Sequence, residues 1–93
     1  MKELKETITL MTSTDYKERF IAEYWQTKIR YEKLKDFCNT IEAAEISRLT
    51  PPDHDCPVCL LREQQSNMGQ LLHVLELRAK IEHIDLNLDI VSR

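Results

Sequence analysis

The chain has 93 residues with a formal net charge of −3, and 31% of its residues are charged. This length allows one small domain, since domains typically hold roughly 100 to 200 residues. The single glycine, Gly69, excludes dinucleotide-binding fingerprints, phosphate-binding loops and nucleophile elbows, which each need several glycines. Few turn-forming residues and many Glu, Lys, Leu, Arg and Gln residues predict an all-α fold for residues 1–93.

The first predicted element is an extended segment at residues 5–12. Thr7 to Leu10 alternate between polar and apolar side chains, a period of two that is typical of a β-strand. Residues 84–91 alternate in the same way. If the two helices between these ends run antiparallel, the ends lie side by side and can pair as strands. The alternative is two unpaired tails.

A long amphipathic helix is predicted at residues 15–46. Asp15 followed by Glu18 has the spacing of an N-terminal capping pair, with Ser13 and Thr14 as alternative caps. Apolar and aromatic residues then recur at alternating intervals of four and three, which places them along one seam facing a partner helix. The seam comprises Phe20, Tyr24, Thr27, Tyr31, Leu34, Cys38 and Ile41.

A connection and a second helix follow. Two consecutive prolines cannot continue a helix, so residues 47–56 are predicted as the connection. Pro57 suits the first position of a helix, with Asp55 or Cys56 as its cap, which predicts a second helix at residues 57–83. The two helices are predicted to form an antiparallel hairpin.

The second predicted helix has two apolar faces. At about 100° per residue, Val74, Leu77, Ile81 and Ile84 fall opposite the face that packs on the first helix. Burial of each such side chain contributes roughly 1.5 to 3 kcal/mol, and one partner helix cannot cover both faces. The sequence therefore predicts a homo-oligomer. The residues facing the first helix are Leu61, Met68, Leu71, Leu72, Leu75 and Ala79.

The run Cys56-Pro57-Val58-Cys59 has three interpretations. A zinc site needs four ligands, for which His54 and the more distant Cys38, His73 and His83 are the other candidates. A redox site needs this motif at a helix start that follows a strand. In the third interpretation the two cysteines are only structural. We favour this one and predict no metal and no cofactor.

The histidines predict no catalytic constellation. His73 and His83 lie ten residues apart, and no histidine has a Ser or Cys at a spacing that forces a nucleophile and base pair. We therefore predict that the chain is not an enzyme.

Basic and aromatic side chains alternate along the first predicted helix. Lys17, Lys28 and Lys35 project within about 20° of one another, flanked by Tyr24 and Tyr31. Basic groups bind phosphates and aromatic rings stack on bases, so one interpretation is a nucleotide ligand. In the other, the tyrosines form the seam and the lysines extend past them to water.

The overall charge of −3 argues against binding of DNA, RNA or an anionic membrane through bulk charge. No stretch approaches the roughly 18 apolar residues of a transmembrane helix. The first residues lack the apolar run of a signal peptide, so we expect a cytoplasmic protein.

A set of residues along both predicted helices matches a known pattern. In the first helix these are Tyr16 to Arg19, Glu23-Tyr24, Arg30, Lys33-Leu34 and Phe37. In the second they are Cys56-Pro57, Leu60-Leu61, Gln64, Met68, Leu71 or Leu72, Leu75, Arg78-Ala79 and Ile84-Asp85-Leu86. This set resembles a phage family of small helical-hairpin proteins. The family includes sponges that sequester the cyclic oligonucleotide signals of the bacterial CBASS defence, and the same hairpin occurs in a sponge against the Thoeris defence.

The resemblance implies multimers, up to hexamers, with ligands bound between protomers. It points to Tyr16 as a ring that stacks on a base, with Arg19 in the same run, and to Arg30 or Lys33 as phosphate contacts. Arg78 corresponds to the contact in a separate site for cyclic trinucleotides.

The function implied is that of an anti-defence sponge in the host bacterial cytoplasm. It would bind cyclic di- or trinucleotides without cleaving them. The alternative is a helical interaction module that binds another protein through Val74, Leu77 and Ile81.

Overall fold

The computed structural model describes residues 3–87, and every regular element in that range is a helix. A short 3-10 helix, Leu4–Thr7, continues directly into helix α1, Ile8–Met11. The two long helices are α2, Tyr16–Ile46, and α3, Val58–Glu82. The predicted all-α class is confirmed. Within residues 3–87, no helix combines the length and the apolar character that a bilayer span requires.

Helix α2 starts and stops at recognisable capping signals. The Asp15 side chain accepts a hydrogen bond from the Lys17 backbone N–H at 3.0 Å, which satisfies one of the free donors of the first turn. At the other end Arg48 takes a left-handed conformation with φ of 62°, and the Leu49 N–H bonds back to the Ala44 carbonyl at 2.8 Å. This reversal ends the helix before the two prolines.

Helix α3 begins one residue later than predicted, because Pro57 is its N-cap rather than its first residue. The Pro57 carbonyl accepts from the N–H groups of Leu60 and Leu61, and no side chain caps the helix, so neither Asp55 nor Cys56 has the predicted capping role. The helix ends at a left-handed His83, with φ of 59°, and the Ile84 N–H bonds to the Ala79 carbonyl at 2.8 Å.

Helices α2 and α3 run antiparallel, because the start of each contacts the end of the other. Tyr16 at the start of α2 bonds to Glu82 at the end of α3. At the other end, Arg62 near the start of α3 donates to Glu42 and Asn39 of α2, both at 2.9 Å. The core between the helices and the N-terminal segment contains Leu10, Phe20, Ile21, Ala22, Tyr24, Leu72, Leu75, Ala79 and Ile84.

The only glycine lies where the two long helices approach each other closely. A Cβ atom at Gly69 would lie 3.3 Å from Cε1 of the Tyr31 ring. A side chain at this position would therefore press on the tyrosine, and its absence lets α3 lie close to α2.

The N-terminal segment predicted as extended at residues 5–12 is helical, so the strand prediction is wrong there. Thr7 and Leu10, three residues apart, are both buried, whereas Ile8 is 54% exposed. A strand would place Ile8 and Leu10 on the same face, and a helix places Thr7 and Leu10 together. The Thr7 hydroxyl accepts a hydrogen bond from Gln26 of α2, which fixes this segment on the long helix.

The second predicted strand is also wrong over the part that the structure describes. Residues 84–87 form a coil and a turn, in which Asp85 accepts from the Asn87 N–H at 3.0 Å. Residues 88–91 of that prediction lie outside the described residues. Ile84, predicted on the exposed face of α3, is only 7% exposed, because the left-handed His83 turns the chain back onto the core.

The other residues of the second apolar face remain uncovered within the described chain. Val74 and Leu77 are each 49% exposed, and Ile81 is 76% exposed. On the opposite face Leu72 and Leu75 are buried as predicted, whereas Leu71 is 41% exposed.

Candidate ligand-binding site

Two of the predicted ligand residues, Tyr16 and Arg78, lie side by side where α2 begins and α3 ends. The Arg78 Nη2 group donates to the Tyr16 hydroxyl at 2.6 Å. Tyr16 is the first residue of α2, so the Asp15 cap fixes its backbone. It is 46% exposed, and much of its ring is accessible to a ligand.

Glu82 completes this contact and bridges both residues. Its Oε1 atom accepts from the Tyr16 hydroxyl and its Oε2 atom from Arg78 Nε, each at 3.0 Å. The hydrogen bond to the Glu82 carboxylate raises the pKa of the Tyr16 phenol above its ordinary value, and Arg78 acts in the opposite direction. The same carboxylate raises the pKa of Arg78.

The buried Phe20 ring forms the base of this cluster. The Arg78 guanidinium carbon lies 4.9 Å from the centre of the ring, within the range of a cation–π contact. Tyr16 meets the same ring edge-on, with centroids 6.2 Å apart. We refer to Tyr16, Phe20, Arg78 and Glu82 as the Tyr16 cluster.

The other three predicted ligand residues are not part of the Tyr16 cluster. Arg19 donates to the Ser13 carbonyl at 2.9 Å and so holds the loop before α2. Arg30 and Lys33 are exposed, and neither makes a hydrogen bond or ion pair with any residue between 3 and 87. Their charges are therefore available to a ligand or to another chain.

Only some of the lysines and tyrosines along α2 are accessible to a ligand. Tyr24 is buried, and its hydroxyl donates to Glu76 at 2.6 Å, so its ring belongs to the core. Burial and this hydrogen bond raise the pKa of Tyr24. Lys28 pairs with Glu32 at 3.8 Å. For Tyr24 the second interpretation is therefore correct, because this tyrosine packs in the seam between the helices.

A groove of about 450 Å³ lies on another side of the helix pair. Tyr24 and Glu76 line it together with the turn after α3, including Asp85 and Leu86. Trp25 is half-buried beside this turn, and its indole N–H donates to the Leu86 carbonyl at 2.6 Å. This contact holds the turn against α2.

The cysteines are all free thiols. Cys38 is buried in α2, Cys56 is half-buried in the connection and Cys59 is exposed. The His54 ring contacts the Cys56 carbonyl rather than a thiol. Over residues 3–87, no group of three or more His, Cys, Asp or Glu side chains is arranged to hold a metal ion.

The sequence did not indicate Glu82 and Phe20 as partners of Tyr16 and Arg78. Arg78 and Glu82 are four residues apart on one helix, so their ion pair follows from spacing alone. Their contact with Tyr16 joins residues more than sixty positions apart and depends on how the two helices are aligned.

The family model described as Sequestin matches residues 14–81, which contain the whole of α2 and nearly all of α3. No curated protein and no solved structure matches the chain significantly.

Proposed function

Because the chain belongs to the Sequestin family, we propose that it is a phage anti-defence sponge. In this role it binds cyclic di- or trinucleotide immune signals in the host bacterial cytoplasm and withholds them without cleaving them. The family name indicates sequestration, and the sequence resemblance supplies the class of ligand. Sequestration requires tight stoichiometric binding and needs neither a nucleophile nor a metal.

The observation that carries this proposal is the contact between Tyr16 and Arg78. An exposed aromatic ring offers a face on which a base can stack, and a guanidinium offers paired donors for phosphate oxygens. The resemblance points to both residues, one on each helix, but for separate sites. Their direct contact supports a single site at this end of the helix pair.

The distance from Tyr16 to the exposed basic residues supports a site between protomers. Arg30 lies 14 residues along α2 from Tyr16 and within about 40° of it around the helix. At 1.5 Å per residue the two are separated by about 21 Å. Within the described chain these two residues do not contact each other, and a separation of this length favours a site to which different chains contribute them.

The exposed stripe of Val74, Leu77 and Ile81 on α3 supports the association of protomers. These residues are three and four apart, which is the spacing of a helix-to-helix seam. A homohexamer is the assembly that the resemblance implies, and we propose it here. Neither DNA nor RNA is a partner in this proposal, and no membrane is required.

Native mass spectrometry and thermal unfolding of the full chain test the proposal together. The panel contains cyclic dinucleotides, cyclic trinucleotides and cyclic ADP-ribose isomers. A true ligand at 100 times its dissociation constant adds about 2.7 kcal/mol per site, so the melting temperature should rise by several degrees, with the ligand retained on the oligomer. If no member of the panel raises the melting temperature or binds, the proposal fails.

Variants of α2 show whether its exposed basic residues contact the ligand. Arg30→Ala and Lys33→Ala should weaken binding, because each removes a free positive charge. Lys35→Ala is the matched control for this face, since Lys35 is also exposed on α2 without a partner in the described chain but projects about 140° or more away from Arg30 and Lys33. Loss of binding in Lys35→Ala alone would instead indicate the stripe of Lys17, Lys28 and Lys35. Equal loss of binding in all three variants would indicate a general effect of charge rather than a site.

The alternative function is a protein-binding module that uses the stripe of Val74, Leu77 and Ile81. It is favoured only by the exposure of these side chains. A free chain that is monomeric and binds no cyclic nucleotide would support this alternative, whereas a closed hexamer with bound ligand would contradict it.

A further inference from the structure

The Tyr16 cluster already contains an anion, the carboxylate of Glu82. One carboxylate oxygen accepts from the Tyr16 hydroxyl and the other from Arg78 Nε. The two non-bridging oxygens of a phosphodiester form a similar pair of acceptors. Glu82 therefore uses the donors that a ligand phosphate would need.

The charges around Arg78 also disfavour the binding of an anion while Glu82 is in place. Glu23 of α2 also lies close enough to act on Arg78 electrostatically. Glu82 is the carboxylate that pairs directly with Arg78, so the four residues of the Tyr16 cluster have no net charge with which to attract an anion. A ligand phosphate that enters with Glu82 in place meets both an occupied guanidinium and a nearby negative charge.

The Glu82 side chain is exposed enough to move away from Tyr16 and Arg78. It is 30% exposed at the last residue of α3, and its partner Arg78 is 45% exposed. Ion pairs at such positions contribute little to stability, so breaking this one does not endanger the fold.

We propose that Glu82 is a built-in counter-anion that a ligand phosphate displaces from Tyr16 and Arg78. Glu82 holds the two side chains in position in the free protein and lowers their affinity for anionic ligands. This inference rests on the proposed function. It makes Glu82 a residue that sets affinity, because only a ligand whose phosphate binds the cluster more strongly than the carboxylate can enter.

The test compares Glu82→Gln with Glu63→Gln in the full chain. Both variants remove one negative charge from α3, but Glu63 is 19 residues, or about 28 Å, from Glu82 along the helix. Cyclic di-AMP and cyclic tri-AMP are titrated into each variant by calorimetry at one ionic strength. Glu82→Gln should bind at least one of them about two- to fivefold more tightly than the wild type, and Glu63→Gln should match the wild type.

The outcomes separate the inference from the proposed function. If the wild type binds and Glu82→Gln binds no better than Glu63→Gln, the inference is overturned and the sponge function stands. If the wild type fails to bind but Glu82→Gln binds, the inference is supported. If no variant binds either ligand, the inference is overturned, and the sponge function is decided by the full ligand panel described above.

Discussion

At the scale of single residues, the Tyr16 hydroxyl responds directly to the charge on Glu82. Ionisation of the phenol would place two negative charges side by side, so the carboxylate keeps the proton on Tyr16 and raises its pKa. Arg78 favours the ionised phenol, and Glu82 opposes it.

Replacement of Glu82 by Gln should therefore lower the pKa of Tyr16 toward its ordinary value of about 10. The measurement is an NMR titration of tyrosines labelled at the ring carbon that bears oxygen. Tyr24 serves as an internal control, because burial and Glu76 raise its pKa and neither changes in this variant. An unchanged Tyr16 pKa would mean that the hydrogen bond to Glu82 does not form in solution.

The residue types of the candidate site could be predicted from the sequence, but their arrangement could not. Tyr16 and Arg78 were identified on separate helices and assigned to separate sites, whereas the structure places them 2.6 Å apart. Spacing within one helix fixes which of its residues share a face. It does not fix which residue of the partner helix lies opposite.

At the scale of the helices, the caps and breaks are the features that the sequence predicts best. Asp15 caps α2 as expected, because its carboxylate reaches a free backbone N–H of the first turn.

The N-terminal strand was predicted wrongly from four alternating residues. So short a pattern is compatible with a helix that buries Thr7 and Leu10, and only packing against α2 distinguishes the two.

Each long helix ends at a non-glycine residue in the left-handed conformation, Arg48 after α2 and His83 after α3. Glycine adopts this conformation without the steric cost of a Cβ atom. Relief of this strain contributes roughly 1 to 2 kcal/mol, and the greater conformational entropy that glycine loses on folding offsets roughly 0.5 to 1 kcal/mol of it. His83→Gly is thus expected to raise the free energy of unfolding by about 0.5 to 1 kcal/mol.

The matched control is His83→Ala, which removes the imidazole but keeps the unfavourable backbone angle. Thermal unfolding should be measured at one protein concentration, since the melting temperature of an oligomer depends on concentration. A stability of His83→Gly no higher than that of His83→Ala would show that the His83 backbone is not strained.

At the scale of the whole molecule, α3 is covered on one side only within the described chain. Leu75 faces α2 and is 2% exposed, whereas Leu77, two residues on, is 49% exposed. The sequence predicted this second face from periodicity alone, except for Ile84. That residue lies beyond the last turn of α3, where the periodicity of the helix no longer applies.

Leu77→Glu should reduce the size of the proposed oligomer, because a carboxylate among Val74, Leu77 and Ile81 cannot be buried against another apolar surface without a large desolvation cost. Light scattering measures the mass directly. Leu49→Glu is the control, since Leu49 is 68% exposed but lies in the connection after α2. If Leu77→Glu and the wild type form particles of the same mass in solution, Val74, Leu77 and Ile81 do not form the interface.

The position of Arg62 has a consequence for the alignment of the two long helices. Its hydrogen bonds to Asn39 and Glu42 join α2 and α3 at the end opposite the Tyr16 cluster. Loss of the contacts of Glu82 would leave these bonds intact. Side chains of the Tyr16 cluster can therefore change partners without a lengthwise shift of α3 along α2.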